Sequence, residues 1–236
     1  MMKSKKSAII LCSGGLDSVV TAFYVNKQLE YQKITILFFN YGQKSLEQER
    51  KCSSLCANHI GAEFIEIKLD WLDKISNSLI NKDGKVKKLN RKDLKDTCKE
   101  SQKFYVPCRN TLFLTYALAL ADSNYRKNKE DCDIFVGFKC EGKENYPDTT
   151  IVFVKTMNNL SSVSCEGKFQ IRAPLIKKDK EDVIKLGEKL EVNFKDTFSC
   201  YVPINNHHCG YCLACKLRQE GFYWANLKDP TVYSRK

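Results

Sequence analysis

One junction near the start of the chain constrains its fold more than any other feature. The apolar run Ala8-Ile9-Ile10-Leu11-Cys12 meets Ser13-Gly14-Gly15-Leu16-Asp17-Ser18, and a helix-like apolar pattern begins at once. A short apolar run closed by glycines reads as a buried strand, so this turn joins a strand to a helix N-terminus. The alternation continues along the chain. Strands are predicted over 8–12, 33–39, 63–69, 133–138 and 169–173, and helices over 18–29, 46–59, 110–123, 150–160 and 180–190. The segment 110–123 is apolar nearly all round, as expected of a helix buried against a sheet. Repeated βα units imply an α/β fold with a doubly wound parallel sheet, whose ligands lie beyond the carboxyl ends of the strands.

The chain has 236 residues, 43% of them hydrophobic, enough for one good core with a small appendage. No window approaches the roughly eighteen uncharged apolar residues of a membrane span. The basic N-terminal residues precede too short an apolar run for a secretory signal, so the expected location is cytoplasmic, away from any membrane. Twelve cysteines would suggest disulfides in a short secreted chain, but here most are scattered and expected to be reduced. A net charge of +11 suits an anionic partner: nucleotide, nucleic acid or acidic protein. Much of that charge falls in the lysine-rich stretch 81–103, which lacks apolar periodicity and reads as a solvated loop rather than a nucleic-acid patch.

The turn itself has the chemistry of a phosphate site. Free backbone N–H groups converge at a helix N-terminus, and the helix dipole adds partial positive charge. Gly14 and Gly15 permit close backbone approach, and the hydroxyls of Ser13 and Ser18 can donate to phosphate oxygens. Asp17 either caps the helix or holds a magnesium ion arriving with a nucleotide. Two other phosphate loops are excluded: the chain has neither the complete P-loop pattern, in which Ser or Thr follows Gly-Lys four residues after a glycine, nor G-x-G-x-x-G.

The second constellation is CYVPINNHHCGYCLACKLR, which places Cys200, Cys209, Cys212 and Cys215 at the density of a tetrahedral zinc site. Gly210 allows the tight knuckle, and His207 and His208 could compete as ligands. A closed four-thiolate site is structural, with an iron–sulfur cluster as the alternative. The expected organisation is a nucleotide domain over 1–195 and a zinc-binding segment over 196–236 packed on it.

Ser-Gly-Gly-x-Asp-Ser after a first strand resembles the pyrophosphate loop of the ATP pyrophosphatases, whose fold is adenine nucleotide alpha hydrolase-like. Combined with the C-terminal cysteine spacing, and with NYGQ, VPCRNTLFLTYA, VG, YPD, APL and CGYCLACKLRQEGF in order, the chain resembles the 7-cyano-7-deazaguanine synthase (QueC) family over nearly its whole length. That resemblance implies an ATP-dependent carbon–nitrogen ligase of queuosine biosynthesis. ATP would adenylate the carboxylate of a deazaguanine carboxylic acid, ammonia would form the amide, and a second activation would give the nitrile. It implies ATP binding by Cys12, Ser13, Gly14, Gly15, Leu16, Asp17, Ser18 and Asn40. It implies substrate binding by Tyr41, Gln43, Arg109, Asn110, Glu141, Tyr146 and Asp148, with Asp17, Ser18 and Arg109 in catalysis. Lys139 joins Arg109 as a candidate for neutralising phosphate charge. Structural zinc, magnesium with ATP, and a homodimer complete the expectation.

The sequence also departs from the family pattern. Cys108 stands where Val-Pro-Gly-Arg-Asn is usual, Ser45 where a histidine is usual, and EGKENYPDTT over 141–150 lacks the arginine that ordinarily follows Tyr-Pro-Asp. Two alternatives follow. One is a QueC-like protein of an antiviral operon, joining a deazaguanine acid to an amine on a partner protein. The other is a tRNA-thiolating enzyme of the same superfamily, which would need cysteines free to carry sulfur.

Overall fold

The computed structural model describes residues 6–139 and 146–234. Strands β1 (Ser7–Leu11), β2 (Lys33–Asn40), β3 (Glu63–Lys68), β4 (Cys132–Val136) and β5 (Gln170–Arg172) form one sheet in the order β3-β2-β1-β4-β5, every neighbouring pair parallel. The helices are α1 (Leu16–Gln28), α2 (Leu46–His59), the single turns α3 (Leu72–Ile75) and α4 (Cys98–Gln102), α5 (Arg109–Asn128), α6 (Ile151–Ser164), α7 (Lys180–Lys189) and α8 (Leu213–Trp224). This is the doubly wound parallel sheet that the alternating pattern predicts.

The pleat of the central strands divides the core in two. Ala8 and Ile10 of β1 and Phe135 of β4 pack with α1, α2, α7 and α8, where Val20, Ala57, Ile184 and Phe222 are buried. Ile9, Leu37, Ile134 and Val136 face α5 and α6, burying Leu114, Ala117, Ala121 and Met157. All five residues of β4 are buried, the continuous apolar pattern of a strand covered on both faces. Its one charged member, Asp133, opposes that burial through Lys6 at 2.8 Å and Arg172 at 3.0 Å, with the Tyr31 hydroxyl as a third partner.

The order in which strands are added to the sheet reverses between the parallel neighbours β1 and β4, whose last residues Leu11 and Val136 are in register. Connections leave these strands to opposite sides, which opens a crevice at their carboxyl ends.

Several boundaries differ from the sequence reading for identifiable reasons. α1 begins at Leu16, two residues early, because extended Gly15 supplies the N-cap; Asp17 is therefore a first-turn residue and not the cap. α5 runs on to Asn128 and is less enclosed than its composition suggests, with Tyr116 37% exposed. α8 was hidden because its buried stripe is Leu213, Cys215, Arg218, Gly221 and Phe222, a helical spacing in which a cysteine and an arginine occupy core positions. The stretch 81–103 is mostly exposed, as its charge suggests, but buried Leu89 pins it through its N–H to the Tyr211 carbonyl at 3.1 Å.

Ile10 is fully buried at the centre of the sheet. Ile10→Ala is expected to lower the unfolding free energy by about 2–5 kcal/mol, read by chemical denaturation.

Candidate active site

The crevice deepens into a cavity of about 300 Å³ floored by Leu11, Leu37 and Val136 at the strand ends. Ser13, Gly15, Leu16, Asp17 and Ser18 line one side, with Cys12 at the base. At this N-terminus the Ser13 and Ser18 hydroxyls lie 3.3 Å apart, and Ser18 Oγ donates to the Gly15 carbonyl at 3.0 Å. α1 is a full helix of 13 residues, so its first N–H groups carry the positive end of a substantial dipole.

Two glycines create the room. Gly14 has φ +75°, and a Cβ there would lie 2.5 Å from the Glu49 carbonyl oxygen and 2.8 Å from the Ser53 nitrogen. A Cβ on Gly137, just beyond β4, would lie 2.9 Å from the Ser18 nitrogen. The loop is thus wedged between α2 and the end of β4. A third tie runs from the C-terminal segment, where Phe198 N–H donates to the Gly14 carbonyl at 2.8 Å.

Cations gather near this loop. Lys180 Nζ, at the start of α7, contacts both Asp17 carboxylate oxygens at 2.7 and 3.0 Å. Lys139 lies in the same field, and burial, reinforced by Lys180, pushes its ammonium down to about 7. Charge supplied by an anion in the cavity would favour protonated Lys139.

The opposite wall is built by the end of β2 and the start of α5. Arg109 Nη1 donates to the Tyr41 hydroxyl at 3.3 Å, and the guanidinium sits 5.6 Å from that ring's centre. Burial pushes the Tyr41 phenol up to about 12, so it stays a neutral acceptor for Arg109. Asn110 donates from its backbone N–H to the Asp148 carboxylate and from its amide to the Asp148 carbonyl. Burial raises the Asp148 carboxyl. Phe39 and Phe113, stacked at 4.0 Å, supply an apolar face between the walls.

The structure therefore brings Cys12, Ser13, Gly15, Leu16, Asp17, Ser18, Tyr41, Arg109 and Asn110 to one cavity. It turns others elsewhere. Gly14 faces α2; Asn40 donates to Glu66 at 3.5 Å; Gln43 is spent on the Phe39 carbonyl, the Tyr41 N–H and Glu49. Tyr146 donates to the Ser101 carbonyl, and Asp148 supports Asn110 from behind. Glu141 lies outside the described residues. Sequence reasoning overlooked Glu49, Lys180, Ser199, Tyr201 and Arg218, all on the cavity wall. Glu49 and Lys180 sit in charge-rich helices where nothing local sets one charge apart from its neighbours. Cys108 adopts φ +52° at the N-cap of α5, which explains why the family pattern has glycine there.

At the C-terminal end, Cys200, Cys209, Cys212 and Cys215 are all buried, their sulfurs within 4.8 Å of one another. Cys200 and Cys212 approach to 3.9 Å, as do Cys209 and Cys215. A tetrahedral ion with metal–sulfur bonds of about 2.3 Å requires sulfur separations of about 3.8 Å, so these residues fit a single ion such as zinc. Two backbone N–H groups, of Cys209 and Cys212, point at the sulfurs of Cys200 and Cys209 at 3.3 Å and would stabilise thiolate charge. His208 does not compete as a ligand. Its Nε2 accepts from the Ser199 N–H at 3.0 Å, and burial pushes its imidazole down to about 4. His207 is exposed on the far side of that turn.

The chain matches the family model described as queuosine biosynthesis protein QueC over residues 7–226. It is 36% identical over 235 residues to a 7-cyano-7-deazaguanine synthase of Methanosphaera stadtmanae, covering 98% of this chain and 100% of that one. A 7-cyano-7-deazaguanine synthase of Methanobrevibacter smithii is 34% identical, covering 97% of this chain and 98% of that one. Among solved structures, the U34-tRNA thiolase NcsA from Methanococcus maripaludis with its [4Fe-4S] cluster is similar at TM-score 0.45 and 17% identity, covering 95% of this chain and 67% of that one. That likeness is too loose to bear on chemistry.

Because Gly137 leaves room for the first N–H groups of α1, Gly137→Ala is expected to weaken pyrophosphate binding by about tenfold or more, the loss of roughly one charge-assisted hydrogen bond. Titration calorimetry measures it; wild-type affinity in this variant would show that the loop does not hold the anion.

Proposed function

This chain belongs to the QueC family, and from that membership we propose that it uses ATP to adenylate 7-carboxy-7-deazaguanine and, with ammonia, converts the acid through the amide to 7-cyano-7-deazaguanine. One observation carries the reading: the N-terminus of α1, with the Ser13 and Ser18 hydroxyls, and a half-buried arginine line a single cavity.

A ring carboxylate is a poor electrophile, and ATP supplies the activation. On this reading the N–H groups and hydroxyls of 13–18 hold the β- and γ-phosphates, which depart as pyrophosphate. Lys180 and Lys139 neutralise charge on that leaving group. Arg109, kept in place by the Tyr41 hydroxyl, meets the carboxylate and brings its oxygen to the α-phosphorus. No nucleophilic side chain is needed, because positioning and preorganised charge supply the acceleration.

Magnesium fits this site through Asp17, a hard oxygen donor in the first turn of α1 that would hold the ion beside the phosphates. Bound there, it would neutralise charge on the leaving group. Asp17 would exchange part of its contact with Lys180, freeing that ammonium for phosphate. Structural zinc held by Cys200, Cys209, Cys212 and Cys215 closes the C-terminal segment. Four buried thiols engaged in that way are not free to carry sulfur, which weighs against tRNA thiolation.

Purified protein given the acid, ATP, magnesium and ammonium is expected to yield the nitrile, identified by mass spectrometry. Accumulation of the amide or adenylate with ammonium in excess would contradict the full conversion and favour transfer to another amine. Asp17→Ala is expected to lower acid-dependent pyrophosphate release about a hundredfold or more. Metal analysis should find zinc at about one ion per chain, and its chelation should lower the melting temperature. Iron in its place would overturn the zinc assignment.

A further inference from the structure

Resting on that proposed reaction, we infer that Glu49 of α2 is the general base that takes the proton from the attacking nitrogen during amide formation. Glu49 lines the same cavity as the phosphate loop and Arg109. Its carboxylate is fixed in place: Oε1 accepts from the Ser45 hydroxyl at 2.6 Å and Oε2 from the Gln43 amide at 3.1 Å. Its backbone touches the loop directly, since its carbonyl oxygen is the atom that a Cβ on Gly14 would strike. The carboxylate's position is therefore set relative to the site where adenylate must form.

The surroundings give it the right basicity. Burial pushes the carboxyl up to about 7, a rise only partly offset by Ser45, Gln43 and Arg109. The ionisable groups that face it are Arg109 from α5 and Tyr41 from the end of β2. A base titrating near neutral pH combines an available ionised form with enough proton affinity to act. A carboxylate needed only to anchor a cation would be held lower by its partner.

Ammonia adds to the carbonyl carbon of the acyl adenylate, forming the C–N bond and leaving positive charge on nitrogen. One proton passes from that nitrogen to the Glu49 carboxylate. The carbonyl re-forms as the C–O bond to the phosphate breaks, and AMP leaves with the electron pair. Glu49 then returns the proton to solvent.

The test compares E49Q with wild type in two half-reactions. Hydroxylamine traps the adenylate as a hydroxamate, and its weakly basic nitrogen loses a proton to water without help. E49Q is expected to keep acid-dependent pyrophosphate release and hydroxamate formation within about threefold, while amide formation from ammonia falls by roughly a hundredfold or more. At constant free ammonia, the wild-type amide rate should rise with pH through about 7, as Glu49 ionises, and E49Q should lack that limb. E49D, which retains a carboxylate on a shorter arm, is expected to recover part of the rate and the limb, and it guards against a folding defect in E49Q. Amide formation by E49Q at the wild-type rate would overturn the role. Equal loss of pyrophosphate release and amide in folded E49Q would overturn it too, assigning Glu49 to acid binding. A wild-type protein that releases no pyrophosphate with this acid would instead sink the parent reaction.

Discussion

The N-terminus of α1 reaches the cavity only because two backbone positions carry no side chain. Gly14 lets the loop lie against α2, and Gly137 lets the end of β4 lie against the first turn of α1. A methyl group at either place would collide with backbone, which cannot swing aside as a side chain can. The close approach indexes three elements to one point. α2 carries Glu49, β4 leads to Lys139, and the 198–201 segment carries Ser199 and Tyr201. Donors held this way need no reorganisation when charge develops, the condition under which electrostatic stabilisation is greatest.

The C-terminal segment belongs to this arrangement as much as to the cysteine cluster. Arg218 of α8 is 1% exposed, and its guanidinium donates to Thr197 Oγ1 at 2.8 Å, the Phe194 carbonyl at 3.0 Å and Asp229 at 3.3 Å. It draws 194–199 onto the helix that follows Cys212, and Phe198 from that stretch reaches Gly14. A metal ion that closes the four cysteines would therefore stiffen a wall of the cavity without entering it.

Much of this was legible because its signals are local. Strand, turn and helix follow one another within residues 8–28, and four cysteines within sixteen positions announce a closed metal site. What stayed hidden depends on contacts distant in sequence. Lys180 meets Asp17 from 163 residues away, and no periodicity in a lysine-rich helix marks the one lysine that turns inward. Asn40 ends the strand that opens on the cavity and Gln43 follows it, yet their side chains are spent on Glu66 and on the turn after β2. Strand ends fix which residues are near a ligand; side-chain rotamers decide which of them touch it.

The account stands on the acid's own oxygen attacking the α-phosphorus of ATP, with pyrophosphate leaving. Acid labelled with heavy oxygen in both carboxyl positions should lose one label to the phosphate of AMP at amide formation and the second to another AMP at nitrile formation. Label found in inorganic phosphate, or AMP released unlabelled, would contradict it.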